Sequence, residues 1–367
     1  MSMIKNPFKF GAIVDEPYFA NRKEEISRVR SILDSENHLI IISPRRFGKT
    51  SLIKKVTSSI NRPSIYLDLQ LITNTEDFTA QLLKRLYRIY PFEKLKRQIK
   101  NFRILPSISL NPLNNEVDIS FQPVSSSSII IEDVLNLIEN ISKKKEKIIV
   151  VLDEFQEIKN IGKQLDRYLR STIQHHQKIN YVFLGSQEHL MRDIFEKKNS
   201  PFYHFGNLLL LDKIPYTDFF TYLLERFSNI TKHPEKISTE ILEITKSHPF
   251  YTQQLAFNIF EFLLKKEITA DIVEKGVDVI VQTHDMDFER LWNTLNRTDM
   301  KVLIGMTQTK ISPLSSEFTI KSNISSSSTI FSSLKRLSNK GIIIKTEAGY
   351  EIDDPFFTKW IKIRREN

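Results

Sequence analysis

Ile40-Ile41-Ile42-Ser43-Pro44-Arg45-Arg46-Phe47-Gly48-Lys49-Thr50-Ser51 is an apolar run that breaks into a loop and closes on Gly-Lys-Thr-Ser, with a helical pattern beyond it. A strand feeding such a loop and then a helix is the arrangement of a phosphate-binding loop. Gly48 has no Cβ, so the backbone can approach a phosphate there. The amides of the loop and of the new helix N-terminus point at the anion. Lys49 then places a cation on the β- and γ-phosphates, and the Thr50 hydroxyl is a natural ligand for Mg2+. Ser43, Pro44, Arg45, Arg46, Phe47, Gly48, Lys49, Thr50 and Ser51 together make the candidate nucleotide cradle. Ser43 stands where the full pattern, Gly-x4-Gly-Lys-Ser/Thr, begins with glycine. A small residue is tolerable at that point if φ stays negative.

Downstream, Lys147-Ile148-Ile149-Val150-Val151-Leu152-Asp153-Glu154 is a continuous apolar strand ending in two carboxylates. Acidic pairs end many strands for local reasons. The functional alternative is a Walker-B-type end, with Asp153 holding Mg2+ through water and Glu154 polarising the attacking water. Both motifs end strands at the carboxyl edge, where parallel sheets bind ligands. Ser186-Gln187 follows a later strand, so Gln187 is placed to sense a γ-phosphate, or Ser186 simply caps a helix. His248-Pro249 opens a helix further on. It reads either as a local helix start or as part of a lid that packs on the nucleotide.

The chain has 367 residues, enough for two or three domains, and its 40% apolar and 26% charged residues are those of an ordinary globular protein. No apolar run is long enough to cross a bilayer, and the N-terminus carries no apolar signal stretch. Cysteine is absent, which excludes disulfides and Cys-ligated metals. The reducing cytoplasm is the expected compartment, without a membrane. The net charge is +9, and residues 288–367 carry 13 Lys and Arg against 8 Asp and Glu, a local excess of +5. That excess suits an acidic partner such as DNA or is a solvated surface.

Helical patterns alternate with apolar runs over the first 212 residues, the sign of βαβ units. Ser64–Asp68, Tyr181–Ser186 and Leu208–Leu211 read as strands, the last two as buried on both faces. Residues 101–124 instead alternate apolar and polar, around Pro112 and Asn114-Asn115. They read as an inserted β-hairpin, with the serines at 125–128 as a linker and helix cap. The division is an ATPase-type core over 1–212, an all-helical lid over 213–287 and a mixed domain over 288–367.

The motifs together resemble the archaeal-type ATPase family, related to AAA+ and close to the STAND NTPases. The matching elements are Phe19-Ala20-Asn21-Arg22-Lys23-Glu24-Glu25-Ile26, Pro44-Arg45-Arg46-Phe47-Gly48-Lys49-Thr50-Ser51, Val150-Val151-Leu152-Asp153-Glu154-Phe155, Phe183-Leu184-Gly185-Ser186, Ser200-Pro201-Phe202-Tyr203, His248-Pro249-Phe250-Tyr251 and Asp354-Pro355-Phe356-Phe357-Thr358-Lys359-Trp360. The resemblance implies an α/β P-loop NTPase parallel sheet, AAA+-like, with an all-helical lid and a C-terminal winged-helix domain. It implies ATP or ADP with Mg2+ as cofactors and adds Arg22, His248 and Pro249 to the nucleotide-binding set. Many relatives follow the Ser-Pro-x-Tyr turn with Gly-Arg, whereas His204-Phe205-Gly206 follows Tyr203 here, so no arginine finger maps to this segment. Slow hydrolysis is implied, which suits a switch better than a motor.

In that scheme Asp299–Gln308, Ser315–Asn323 and Ser325–Asn339 are the three helices of the winged helix, and Gly341–Ile352 is the wing. Ser325–Asn339 is the recognition helix, with Ile330, Leu334 and Leu337 inward and Thr329, Ser332, Ser333, Arg336 and Lys340 outward. The outer face suits DNA or a protein partner. The function expected is a nucleotide-dependent ATPase switch. The alternatives are a DNA-binding regulator in which ATP is structural and a scaffold in a defence module. The sequence leaves the oligomeric state open.

Overall fold

The computed structural model describes residues 5–90, 92–110, 117–122, 127–143, 146–267, 269–346 and 349–365. They form two compact units. One is made of residues 22–43 and 49–212; the other is made of the described parts of residues 1–21, 44–48 and 213–367.

In the first unit the apolar runs become strands: β1 Leu39–Ile42, β2 Ser64–Asp68, β3 Ser107–Leu110, β4 Val117–Ser120, β5 Ile148–Asp153, β6 Ile179–Gly185 and β7 Asn207–Leu210. Five of them form one parallel sheet in the order β2-β5-β6-β1-β7. Parallel neighbours need crossover connections, and helices such as Lys49–Ser59, Thr75–Ile89 and Leu165–Ile173 supply them. β1, β5 and β6 are buried at every position, as the Ile, Leu and Val run of β1 and of β5 before Asp153 requires, and β6 buries Asn180 among apolar and aromatic side chains. β7 departs from the expectation for Leu208–Leu211. Leu209 is buried, but Leu210 is 52% exposed. β7 is the edge strand beside β1, so an apolar run here does not imply cover on both faces.

β3 and β4 pair antiparallel, with Ser107 opposite Ser120 and Leu110 opposite Val117. Ile119 and Phe121 drop into the same core as Phe78, Leu82 and Leu83, which fixes the hairpin to the unit. The proposed turn at Pro112 and Asn114-Asn115 and the serines at 125–126 lie outside the described residues.

The second unit holds the helices Tyr216–Phe227, Pro234–Thr245, Pro249–Leu264, Ile272–Thr283, Asp285–Asn293, Arg297–Gln308, Ser316–Lys321, Ser327–Asn339 and Pro355–Arg365, and the antiparallel pair β8 Ile343–Thr346 and β9 Gly349–Ile352. One apolar core runs from Phe219 and Phe227 through Leu255 and Ile259 to Phe318, Leu334 and Trp360. The lid and winged-helix segments therefore share a core. The N-terminal residues join it too, although the sequence grouped them with the sheet. Phe8 is buried, 5.1 Å from the Phe227 ring centroid and 5.9 Å from that of Phe260. The Asn6 amide donates to the Phe257 carbonyl. Among the described residues no helix is long and apolar enough to cross a membrane.

Candidate nucleotide site

The turn out of β1 explains its own residues. Ser43 donates its backbone N–H to the Gly185 carbonyl at 3.2 Å, and its φ is not positive, so serine is accommodated. Gly48 has φ +89° with open space where a Cβ would stand. The backbone angle, not room, calls for glycine there. Lys49 then starts the helix Lys49–Ser59.

The acidic end of β5 gathers the polar groups of the first unit. Thr50 Oγ1 donates to Asp153 Oδ2 at 2.9 Å. Tyr66 Oη donates to the same oxygen, and the Glu154 N–H donates to Asp153 Oδ1 at 2.9 Å. Glu154 is buried and accepts from three directions: Lys49 Nζ at 2.7 Å on Oε1, and Gln156 Nε2 at 2.5 Å and Ser186 Oγ at 2.6 Å on Oε2. Burial alone pushes the Glu154 carboxyl pKa up, but the Lys49 ammonium and these donors outweigh it and hold the carboxyl below its ordinary value. Its backbone is left-handed, φ 51° and ψ 47°, a conformation that costs about 1 kcal/mol or more for a residue with a Cβ and clusters at functional sites. Gly185 is favoured by close approach, since a Cβ would push on the Met191 and Gln156 side chains. A Cβ there would stand 2.7 Å from Gln156 Oε1 and 2.3 Å from Met191 Sδ.

Lys49, Thr50, Asp153 and Glu154 are thus brought together as the motif reading expected, and Ser186 joins them. The helix-cap alternative for Ser186 falls away: the N-cap of helix Glu188–Phe195 is Gln187, without a side-chain cap bond. Arg22 is 3% exposed and donates to Glu25 Oε1 at 2.7 Å and to the Asp212 carbonyl at 2.8 Å. It ties the start of helix Lys23–Asp34 to the chain after β7. Sequence reasoning missed Tyr66 and Gln156. The alternation in Ser64-Ile65-Tyr66-Leu67-Asp68 was the available signal for Tyr66, since it places Tyr66 and Asp68 on one face of a strand that ends at the carboxyl edge.

The loop residues 44–48 and the helix Pro249–Leu264 belong to the second unit. His248 caps that helix, with Nδ1 accepting from the Phe250 and Tyr251 N–H groups at 3.2 and 3.5 Å, and Pro249 takes the first turn. The local helix-start reading is realised. His248 Nε2 also faces Asp353 Oδ1 at 3.4 Å, and the Phe47 ring packs edge-on against the imidazole, centroids 4.7 Å apart. Arg46, at φ 68°, lies 4.5 Å over the Phe250 ring and donates to Tyr251 Oη at 3.3 Å. Burial, then Asp354 and Asp353, push the Tyr251 phenol pKa up.

The winged-helix reading needs one correction. Ile330, Leu334 and Leu337 are buried as expected, but Ser333 is buried too, and its hydroxyl donates to Asp299 Oδ1 at 2.6 Å. Arg336 Nη2 donates to the same oxygen at 2.7 Å. Asp299 is 1% exposed, and a buried carboxylate needs such partners. Ser333 is therefore not on the outer face; Arg336 is exposed as expected, and its guanidinium reaches back to Asp299. Lys340 donates to the Thr294 carbonyl at 3.0 Å. The exposed positions of this helix include Ser328, Phe331, Ser332 and Lys335.

Comparison with known proteins agrees with this geometry. A family model described as an ATPase domain predominantly from Archaea matches residues 19–255, and one described as a probable winged helix domain matches residues 286–363. An uncharacterized ATP-binding protein of Methanocaldococcus jannaschii is 28% identical over 170 residues, which are 40% of this chain and 45% of that protein. The match thus spans less than half the length of that curated relative. Among solved structures, the Walker-type ATPase of Pyrococcus abyssi superposes with a TM-score of 0.69 at 18% identity, over 97% of this chain and 99% of that one. The Aeropyrum pernix ORC2 protein in its ADPNP–ADP complexes superposes with a TM-score of 0.56 at 15% identity, over 97% of each chain. At these identities the likeness is one of fold. The chain belongs to the family of ATPase domains found predominantly in Archaea, and carries a winged-helix domain after its ATPase domain.

Proposed function

We propose that the chain binds ATP with Mg2+ and hydrolyses it slowly, as a nucleotide-dependent switch. The observation that carries this reading is the pairing of Lys49 with Glu154 and of Thr50 with Asp153 at the end of β5. Lys49 and the amides of Ser43–Ser51 hold the phosphates. Glu154 takes hydrogen from the water that attacks the γ-phosphorus, and the bond to the bridging oxygen of ADP breaks, leaving ADP and phosphate. A hydroxyl and a carboxylate on a common hydrogen bond suit a hard cation that takes its other oxygens from phosphate and water. Bound there, Mg2+ would neutralise the charge that builds on the phosphates.

Arg22, Gln187, His248 and Pro249 are proposed to complete the nucleotide contacts. The modules proposed are 1–212, 213–287 and 288–367. The switch has a route in the second unit: Phe47 of the loop touches His248, and His248 faces Asp353, which directly follows β9. The competing reading is a DNA-binding regulator in which ATP is structural. It is favoured by the winged-helix match and weakened by the engagement of Arg336 with Asp299. Phosphate release from ATP and Mg2+, measured with and without duplex DNA, tests the two. Turnover without DNA supports the switch. Absence of turnover in both conditions, with ATP bound, contradicts it.

A further inference from the structure

We propose that Tyr66 is a positioning residue which holds Asp153 and Thr50 in the metal-binding arrangement and must release Asp153 when Mg2+ arrives, so that it sets the Mg2+ affinity of the site. The proposal rests on the reading of Thr50 and Asp153 as the metal pair.

The placement follows from β2. Its alternation buries Ile65 and Leu67 in the core and leaves Tyr66 and Asp68 on the other face. The register with β5 sets Tyr66 opposite Val151 and Asp68 opposite Asp153. From there Tyr66 Oη reaches Asp153 Oδ2 and lies 3.5 Å from Thr50 Oγ1, while Thr50 Oγ1 donates to the same Oδ2 at 2.9 Å. The tyrosine is fixed on two further sides. Arg85 Nε donates to its carbonyl at 2.6 Å, and Lys54, one turn after Thr50, holds its ammonium 5.5 Å over the ring.

A carboxylate oxygen offers about two lone-pair positions. Thr50 and Tyr66 occupy both at Oδ2, and the Glu154 N–H takes one at Oδ1. The Thr50 hydrogen can stay on Asp153 while its oxygen turns to a metal. A cation or metal-bound water that meets Oδ2 would have to take the place of the phenol, because Thr50 and Tyr66 fill that oxygen. The phenol O–H points at Asp153 as a donor, so it competes with the cation for that oxygen. In the metal-free protein it keeps Asp153 satisfied and aimed at Thr50, and the cation displaces a ready-made hydrogen bond.

The test uses the full chain, titrated calorimetrically with ATP in EDTA and then at graded Mg2+, for the parent, Tyr66→Phe and Asp153→Asn. Tyr66→Phe keeps the ring and removes the donor. It should leave metal-free ATP affinity within about twofold and lower the half-saturating Mg2+ concentration roughly fivefold, the value of one ordinary hydrogen bond. An unchanged or raised Mg2+ requirement in Tyr66→Phe overturns the role, provided that the variant melts within a few degrees of the parent. If it melts lower, Tyr66→Trp, which keeps an aromatic ring but offers a donor elsewhere, takes its place with the same expected fall. A Mg2+ dependence left intact by Asp153→Asn removes the metal-pair reading itself, and with it this role for Tyr66. Absence of ATP binding in EDTA and in Mg2+ alike would instead count against the nucleotide site.

Discussion

Lys49 Nζ stands 2.7 Å from Glu154 Oε1, with both side chains about nine-tenths buried. The residue proposed to hold the phosphates is thus paired with the residue proposed to activate water. Leaving one charge of such a pair alone is costly, so a phosphate that draws Lys49 away must replace the carboxylate as its partner. Glu154 keeps its bonds from Gln156 and Ser186, so it stays in place when Lys49 turns to a nucleotide. In the proposed function the pair would link phosphate arrival to release of the base.

Glu154→Gln separates binding from chemistry. Phosphate release should fall on the order of a hundredfold or more, as for loss of a general base. ATP affinity should be kept or rise, because Lys49 loses its competing carboxylate. Undiminished phosphate release in a coupled assay would remove Glu154 from the chemistry and leave Thr50 and Asp153 untouched.

Arg336→Ala should act on stability. Asp299 is 1% exposed and would lose the guanidinium while keeping Ser333 and Asn296. The expected cost is about 1–3 kcal/mol, that of weakening a buried hydrogen-bonded charge, read as a lower midpoint in denaturant. An unchanged midpoint would show that the contact is not maintained in solution. DNA contact is better tested at Lys335, which is exposed on the same helix. If it meets a phosphate, Lys335→Ala should lower the slope of log affinity against log salt by roughly one unit. A slope equal to the parent's would take DNA off this face.

His38 provides a pH prediction. Burial, then the nearby Arg170, His176 and Lys147, lower its pKa from 6.5 to about 4. Its Nδ1 accepts from the Tyr181 N–H at 3.3 Å. A depressed folded value means that the stability gained from neutral His38 is complete above pH 6.5 and is lost as pH falls toward 4. An NMR titration should find this imidazole neutral at pH 5.5. A midpoint near 6.5 would contradict the packing described around it.

Much of this was legible because single residues carried it. The uninterrupted Ile148–Leu152 run dictated a covered parallel strand, and Gly48-Lys49-Thr50 fixed where it mattered. Burial along β1, β5 and β6 follows the same rule. What escaped depends on partners distant in sequence. The exposure of Leu210 follows from β7 lying at the sheet edge, which no local pattern encodes. Ser333 reads as outward on a helical wheel, but Asp299, thirty-four residues away, draws it in. Phe8 falls within the 1–212 core on sequence, yet it packs against Phe227 and Phe260. For Tyr66 the alternation of β2 showed only its face, because its partner is set by the register with β5.

The central claim is that the Gly48-Lys49-Thr50 loop binds ATP through Lys49. Calorimetric titration of ATP with Mg2+ into the parent and into Lys49→Ala tests it most directly. One site per chain is expected in the parent, with about ten- to hundredfold weaker affinity in the variant, as for loss of a charge-assisted contact. Equal affinity in the two proteins would contradict it.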